Sequence, residues 1–326
     1  MRILITGGVG FIGSNLLNYL SRKKSVKKII IVDNFSKTNL KNIDKKLEYQ
    51  YFTSFSKYKQ SRKKIDVIRT SISKYSTALV LTKNIDYVVH LAAESGVDVS
   101  INKPKEAFDV NVVSAFNWLE ASKVNNVKCF LFASSCAVFG NASPPHSEDI
   151  PRKPISPYGS AKMTVESFCE TYSNIYNISS VILRFSNAYG SYSNHKNSVI
   201  SKFIKNILNN KTLVVNGTGS ITRDFIHVED ICDAIYKSLV AKKNGNKTYH
   251  VATGKETSIN QLIFLLKNIF GNYGKGNFKI KYVNERIGDI KKNYATNKKI
   301  KRELKWKNQV TLLQGLEKTV MWFINK

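Results

Sequence analysis

The sequence predicts an α/β protein: a doubly wound parallel sheet followed by a smaller, mixed α/β lobe. Three observations predict it. The opening stretch "MRILITGGVGFIG" is an apolar run ending in glycines at three-residue spacing, Gly7, Gly10 and Gly13. Apolar strand-like runs then alternate with helix-like stretches over roughly the first 190 residues, the pattern of parallel strands joined by crossover helices. From about residue 195 the alternation turns irregular, with Gly-rich breaks at 217–219 and 271–276. The chain is therefore divided into 1–190, a Rossmann-type domain, and 191–326, mainly a second lobe from which some segments return to the first.

Ile3 to Thr6 reads as the first strand, and the glycines as its turn. A helix follows with Ile12, Leu16, Leu17 and Leu20 on one face. "KKIIIVDNF" is a second strand, with an unbroken apolar centre as a strand covered on both faces should have. Residues 36–64 break the rhythm; polar, basic and dotted with Tyr and Phe, they read as a solvated surface excursion. "NIDYVVHLAA" and "VKCFLFASS" are two further strands, with Phe108, Val112, Phe116 and Leu119 marking an amphipathic helix between them. "ISSVILRFSNAYG" is a later strand and loop.

With 326 residues, 42% hydrophobic and 23% charged, the chain has the makeup of a globular protein with a sizeable core. It has no apolar run of 18 or more residues and no basic, apolar leader, so neither a membrane span nor secretion is expected, and the cytoplasm is the expected location. Cys129, Cys136, Cys169 and Cys232 lack metal-ligand spacing and read as reduced, buried thiols. The net charge of +28 raises the question of nucleic acid. It comes from 42 Lys against 9 Arg, spread along the chain together with 32 Asn, which reads as compositional drift and excludes nucleic acid as the expected partner. The positive field still favours anionic ligands.

Gly7 and Gly10 let the backbone turn tightly and approach a pyrophosphate, and Gly13 lets the helix lie close to the sheet. The helix N-terminus supplies N–H groups and partial positive charge for phosphates. Asp33 closes the second strand 20 residues past Gly13, where an acidic residue takes the adenosine ribose hydroxyls. A carboxylate there repels a 2′-phosphate, so NAD is expected rather than NADP.

"SPYGSAK" carries candidate chemistry. Ser156 can cap a helix with Pro157 at its first position, which sets Tyr158 and Lys162 four apart on one face. A tyrosine ionises near pH 10, so making it a base at pH 7 takes roughly 4 kcal/mol, for which the Lys162 ammonium is one source. Ser135, ending the strand just upstream, lies where open parallel sheets bind ligands and could hydrogen-bond a substrate hydroxyl.

The glycine pattern, embedded in T-G-G-x-G-F-I-G, resembles the extended short-chain dehydrogenase/reductase family, in particular its nucleotide-sugar epimerases and dehydratases. The similarity continues through "HLAAESGVDVSINKP", "FDVNVVSAFNWLEAS", "SSCAVFG", "SPYGSAK", "LRFSNAYG", "GTGSITRDFIHVEDICDAI" and "RIGDIKKNYATNKKIKRELKW", in the order and spacing of the UDP-glucose 4-epimerase branch. The resemblance implies a catalytic Ser135, Tyr158 and Lys162. It implies cofactor contacts at Gly7, Gly10, Phe11, Ile12, Gly13, Asp33, Asn34, Ser71, Ile72, Leu91, Ala92, Ala93, Tyr158 and Lys162, with Asn111 a buried structural residue. Asn187, Arg223, Arg286, Asp289 and Asn293 would contact a UDP-sugar, the two arginines gripping its diphosphate. It further implies a homodimer through paired helices. The implied reaction takes a proton from the sugar's 4-hydroxyl onto Tyr158 and a hydride onto NAD, then returns both on the other face of the 4-keto sugar.

Some positions depart from the family pattern. Thr70-Ser71-Ile72 stands where Gly-Asp-Ile is usual, so an adenine-side carboxylate is missing, and the spacing from Asp33 to Ser71 is longer than usual. Phe139 replaces a usual Tyr, Ile287 a common Pro and Thr296 a common Asp. Dehydratases and decarboxylases of the family usually carry an acid just after the triad's Ser/Thr; here Cys136 and Ala137 follow Ser135. Carbon-4 epimerisation is therefore the expected reaction, against UDP-glucuronate epimerisation, dehydration or reduction, and against a non-enzymatic NAD-sensing or nucleic-acid-binding role. Asn293 matches the position that gates the carbon-2 substituent, so both plain and N-acetylated hexoses are expected substrates.

Overall fold

The computed structural model describes residues 1–241, 244–285 and 290–326. Its strands are β1 (Arg2–Thr6), β2 (Lys28–Asp33), β3 (Gln50–Phe52), β4 (Ile65–Arg69), β5 (Tyr87–His90), β6 (Cys129–Ser135), β7 (Ser180–Phe185), β8 (Asn187–Tyr189), β9 (Leu213–Asn216), β10 (Thr222–Arg223), β11 (Phe225–His227), β12 (Asn246–Val251), β13 (Thr257–Ser258), β14 (Ile280–Val283) and β15 (Lys292–Asn293). Its helices are α1 (Phe11–Ser21), α2 (Tyr75–Leu81), α3 (Val97–Asn102), α4 (Pro104–Phe108), α5 (Ser114–Val124), α6 (Pro157–Tyr176), α7 (Val199–Leu208), α8 (Val228–Val240), α9 (Ile259–Gly271), α10 (Lys298–Leu304) and α11 (Leu312–Ile324).

The chain forms two units. The first is Met1–Gly140, Pro151–Arg184 and Cys232–Tyr249; the second is Asn141–Ile150, Phe185–Ile231 and His250–Lys326. The expected doubly wound sheet is present. Among the described residues it has eight strands in the order β12-β7-β6-β5-β1-β2-β4-β3. The ladder from β6 through β5, β1, β2 and β4 to β3 is parallel throughout. Every residue of β2 is buried, which is why its centre, Ile29–Val32, is a continuous apolar run rather than an alternating one. Leu4, Ile30, Val88 and Phe130 from the strands form one core with Trp118, Leu119 and Val165 from the helices. The four cysteines are buried and no disulfide joins them.

Two features differ from the sequence reading. Residues 36–64 are more than a solvated excursion: β3 pairs in parallel with β4 at the sheet edge, and Asn42 and Ile43 are buried. A three-residue strand in a lysine-rich stretch gives no readable alternation. The helix marked by Phe108 to Leu119 is interrupted by a π-helical turn at Asp109–Val113. Val112 and Leu119 stay buried while Phe108 is exposed, because the wider turn carries the residues before it out of phase with α5.

In the second unit β8 pairs with β11 and β9 with β14, both in parallel. β10 lies between β13, antiparallel, and β15, parallel. Helices α7, α9 and α11 bury Phe203, Ile204, Leu262, Leu266, Phe270, Leu316 and Val320 in one core. Both α9 and α11 start with capping boxes, Ser258 with Gln261 and Thr311 with Gln314, which satisfy amides that would otherwise be orphaned at each helix start. No described helix is long and apolar enough to cross a membrane.

Candidate active site

In the first unit, the C-terminal ends of the adjacent strands β5, β1, β2 and β4 bring the candidate cofactor residues together. Gly7 follows β1 at φ +69°, and a Cβ there would stand 2.8 Å from the backbone of Ala92. Only glycine fits both demands. A Cβ on Gly13 would overlap the carbonyl of Gly7 and the backbone of Gly8, so this glycine is what lets α1 start hard against the loop. Gly10 is the N-cap of α1, with no side-chain cap and no acidic residue in the first turn. That leaves the helix dipole and free N–H groups for an anion. Phe11 is buried and Ile12 half-buried.

Asp33 is buried, yet both carboxylate oxygens are engaged: Oδ2 accepts from Val9 N at 3.0 Å and Oδ1 from Phe35 N at 2.9 Å. Burial raises its carboxyl above the usual range and the backbone donors pull it back. Asp33 thus pins the glycine loop to the end of β2. The other face of Val9 is held by residues outside the sequence prediction: its carbonyl accepts from Asn42 Nδ2 at 3.2 Å and Ser14 Oγ at 3.1 Å. Asn34 is exposed and turns its Oδ1 to Ser36 N at 3.0 Å. Ser71 is exposed and bonds Ser73 within its own turn, Oγ to Oγ at 3.0 Å. Ile72 is buried, and Leu91, Ala92 and Ala93 are half-buried beside the loop. Asn111, at the π turn, brackets Glu94, accepting from its N–H at 2.8 Å and donating to its carbonyl at 3.0 Å.

The candidate catalytic residues meet where β6 ends. Ser156 caps α6, its Oγ accepting from Gly159 N at 3.1 Å, with Pro157 at the first turn. A Cβ on Gly159 would lie 2.5 Å from Ala137 O, so this glycine allows α6 to approach the turn after Ser135. Gly159 has no role in the sequence reading, since the demand on it comes from a turn distant in the chain. Tyr158 and Ser135 are hydrogen-bonded through their side chains. Lys162 is buried, donates to Ala133 O at 2.8 Å, and lies 4.7 Å from the Phe132 ring and 5.7 Å from the Tyr158 ring. Burial pushes the Tyr158 phenol up to about 12, while the Ser135 bond lowers it. Tyr158 is therefore protonated at neutral pH in this state, and each unit it falls on loading costs about 1.4 kcal/mol. His90 stacks on Phe130 and Phe132 and shares a 3.0 Å bond with Thr6 Oγ1 through Nδ1. Burial first, then Lys162, pushes its imidazole down to about 3, so it is neutral near pH 7.

In the second unit Arg223 and Asn293 are register partners on β10 and β15. Arg223 Nη1 donates to the carbonyls of Thr222 at 2.8 Å and Ile290 at 2.7 Å. Asn187, exposed on β8, donates through Nδ2 to Asp224 O at 3.2 Å. Asp224 itself is buried and accepts from Thr253 N and Gly254 N, both at 2.9 Å. Arg286 and Asp289 lie outside the described residues.

Known proteins are similar to this chain over its whole length. The sequence profile of the GDP-mannose 4,6 dehydratase family matches residues 4–319. A putative UDP-glucose 4-epimerase of Methanocaldococcus jannaschii is 33% identical over 327 residues, covering 99% of this chain and 98% of that protein. The crystal structure of UDP-glucose 4-epimerase from Thermotoga maritima with UDP-glucose superposes at a TM-score of 0.87 with 29% identity, covering 100% of this chain and 99% of that one. UDP-glucuronic acid 4-epimerase from Bacillus cereus, in complex with UDP-glucuronic acid and NAD, superposes at 0.86 with 29% identity and the same coverage. A profile match over nearly the full length, on a fold whose loop suits a dinucleotide, places this chain in the GDP-mannose 4,6 dehydratase family of nucleotide-sugar epimerases and dehydratases.

Proposed function

We propose that the protein is an NAD-dependent UDP-sugar 4-epimerase acting on UDP-glucose/UDP-galactose and on the N-acetylhexosamine pair. The observation that carries the reading is Tyr158 hydrogen-bonded to Ser135 with Lys162 one turn further along α6. The position after Ser135 is Cys136, which offers no acid for an elimination and so favours epimerisation over dehydration.

The glycine loop fits a dinucleotide: Gly10 starts α1 with no side-chain cap and no acidic residue in the first turn, which leaves amides for a pyrophosphate. Gly7, Gly10, Phe11, Ile12 and Gly13 would hold the pyrophosphate, Asp33 and Asn34 the adenosine ribose, and Ser71 and Ile72 the adenine. Leu91, Ala92 and Ala93 would line the cofactor, and Tyr158 and Lys162 would contact it. Bound there, NAD would supply reversible hydride acceptance. Ser135 orients the 4-hydroxyl, and Tyr158 Oη takes its proton and later gives it back. The Lys162 ammonium favours the ionised phenol. Asn187, Arg223, Arg286, Asp289 and Asn293 would hold the UDP-sugar, with Asn293 facing the carbon-2 substituent.

Incubation with UDP-galactose, UDP-N-acetylglucosamine and UDP-glucuronate in turn, without added reductant, tests this. Epimers of the first two without net NADH are expected. Turnover of UDP-glucuronate alone would reassign the substrate, and loss of water or carbon dioxide would reassign the reaction. Binding of RNA with no turnover would favour the basic-protein reading. The protein is further proposed to be a homodimer through α5 and α6. In support, Val124, Phe168, Ile175 and Tyr176 are exposed there, and Phe116, Phe168 and Tyr172 form one ring cluster across the two helices. A monomeric mass by light scattering would refute it.

A further inference from the structure

Three successive residues at the end of β6 each hold one residue on a single face of α6. Ala133 O accepts from Lys162 Nζ at 2.8 Å, Ser134 Oγ donates to Glu166 Oε1 at 2.5 Å, and Ser135 bonds Tyr158. Tyr158, Lys162 and Glu166 recur at spacing four, so they stack along the helix. The first two carry the proposed chemistry. Glu166 has no part in it, and its side chain is fully buried.

Glu166 is held from three directions. Arg184 on β7 forks onto it, Nε to Oε1 at 3.0 Å and Nη2 to Oε2 at 2.7 Å. Arg152, from the loop before α6, reaches Oε2 at 3.2 Å and also bonds both oxygens of Glu170, each at 3.2 Å. Arg184 in turn stands 5.0 Å above the ring of Phe139, in the turn that follows Ser135. Two guanidiniums and two carboxylates balance in charge. Such a buried pair is a poor source of net stability compared with apolar packing, but its directional bonds define a single geometry. Sliding α6 by a fraction of a turn would strip donors from a carboxylate that water cannot reach.

We infer that Glu166, gripped by Arg184 and Ser134, is a positioning residue that sets the height and rotation of α6 against the end of β6, and with them the Tyr158–Ser135 contact. The inference rests on the acid–base reading of that contact. It deepens that reading by naming what keeps the phenol in place.

Ser134→Ala removes one rung and leaves the Arg184 fork intact. On the NAD-loaded protein, kcat is expected to fall about three- to tenfold with KM nearly unchanged. The acid limb of the kcat profile should move up by about half a pH unit, because a loosened Ser135 bond favours the ionised phenol less. Ser134→Thr, which keeps the hydroxyl, should restore both. The double variant Glu166→Leu with Arg184→Leu removes the buried charges together, so it should fold, yet lose about ten- to a hundredfold in kcat. A readout that needs no sugar is the ultraviolet difference titration of Tyr158 in the holoprotein, with Tyr158→Phe as the blank. Its midpoint should rise in both variants. If the wild type turns over none of the three UDP-sugars, the epimerase reading fails while this titration still decides the positioning role. An unshifted Tyr158 midpoint in Ser134→Ala overturns the inference, as does a folded double variant with wild-type kcat.

Discussion

Two places along the sheet edge of the first unit are held by different means. Where β6 meets α6, side chains lock side chains: Ser135 to Tyr158, Lys162 to a strand carbonyl, and Glu166 to two arginines. Where β2 and β4 end, side chains lock a loop: Asp33 and Asn42 take the two polar groups of Val9, and Ser71 lies exposed beyond them, bonded within its own turn. The first is suited to holding a proton at one place. The second is suited to shaping a backbone cradle around a cofactor that supplies its own chemistry. Damage at the first should therefore appear in turnover, and damage at the second in cofactor affinity.

The largest expected effect tests the first half of that contrast. Tyr158→Phe should lower kcat by roughly a thousandfold while NAD stays bound, measured by turnover beside cofactor content after gel filtration. Retained activity would remove Tyr158 as the base. On the loop side, Asp33→Ala removes the partner of Val9 N and should weaken NAD by roughly ten- to a hundredfold, with kcat at saturating NAD little changed. Calorimetric titration would show it, and an unaltered affinity would shift the cofactor grip elsewhere.

His90 links the two places through stability. Folded, it stays neutral to about 3, whereas an unfolded histidine takes up a proton near 6.5. Its contribution is thus fully present above about pH 6.5 and is lost as pH falls towards 3, at about 1.4 kcal/mol per unit. His90→Gln should flatten the acid side of the Tm profile, and parallel profiles would contradict the assignment. The smallest effect is Asn42→Ala, a single neutral hydrogen bond to the loop worth about 1 kcal/mol, or roughly fivefold in NAD affinity. A larger loss in kcat than in affinity would blur the contrast between the two places.

Much of this was legible in the chain. The apolar runs of β1, β2, β5 and β6, the glycine spacing and Asp33 are local signals, and Ser156 to Lys162 is a capped helix start that can be read directly. Other elements were not legible for definite reasons. β3 is three residues long within a lysine-rich stretch, too short to show a period. The π turn leaves each residue type plausible for an ordinary helix and changes only the phase, so the exposure of Phe108 could not be foreseen. Asn42 belongs to a stretch whose polarity suggests solvent.

Sequence alone thus determined the class of sheet, the dinucleotide-type turn and the residue types at the end of β6, because each is encoded within one turn or one strand where local sterics and periodicity act. Tertiary structure decided the partners: Asn42 on Val9, Ser134 and Arg184 on Glu166, Asn293 beside Arg223. Those pairs join segments far apart in the chain. A buried polar group bonds whatever donor the folded backbone brings to it, and one-dimensional spacing carries no record of that choice.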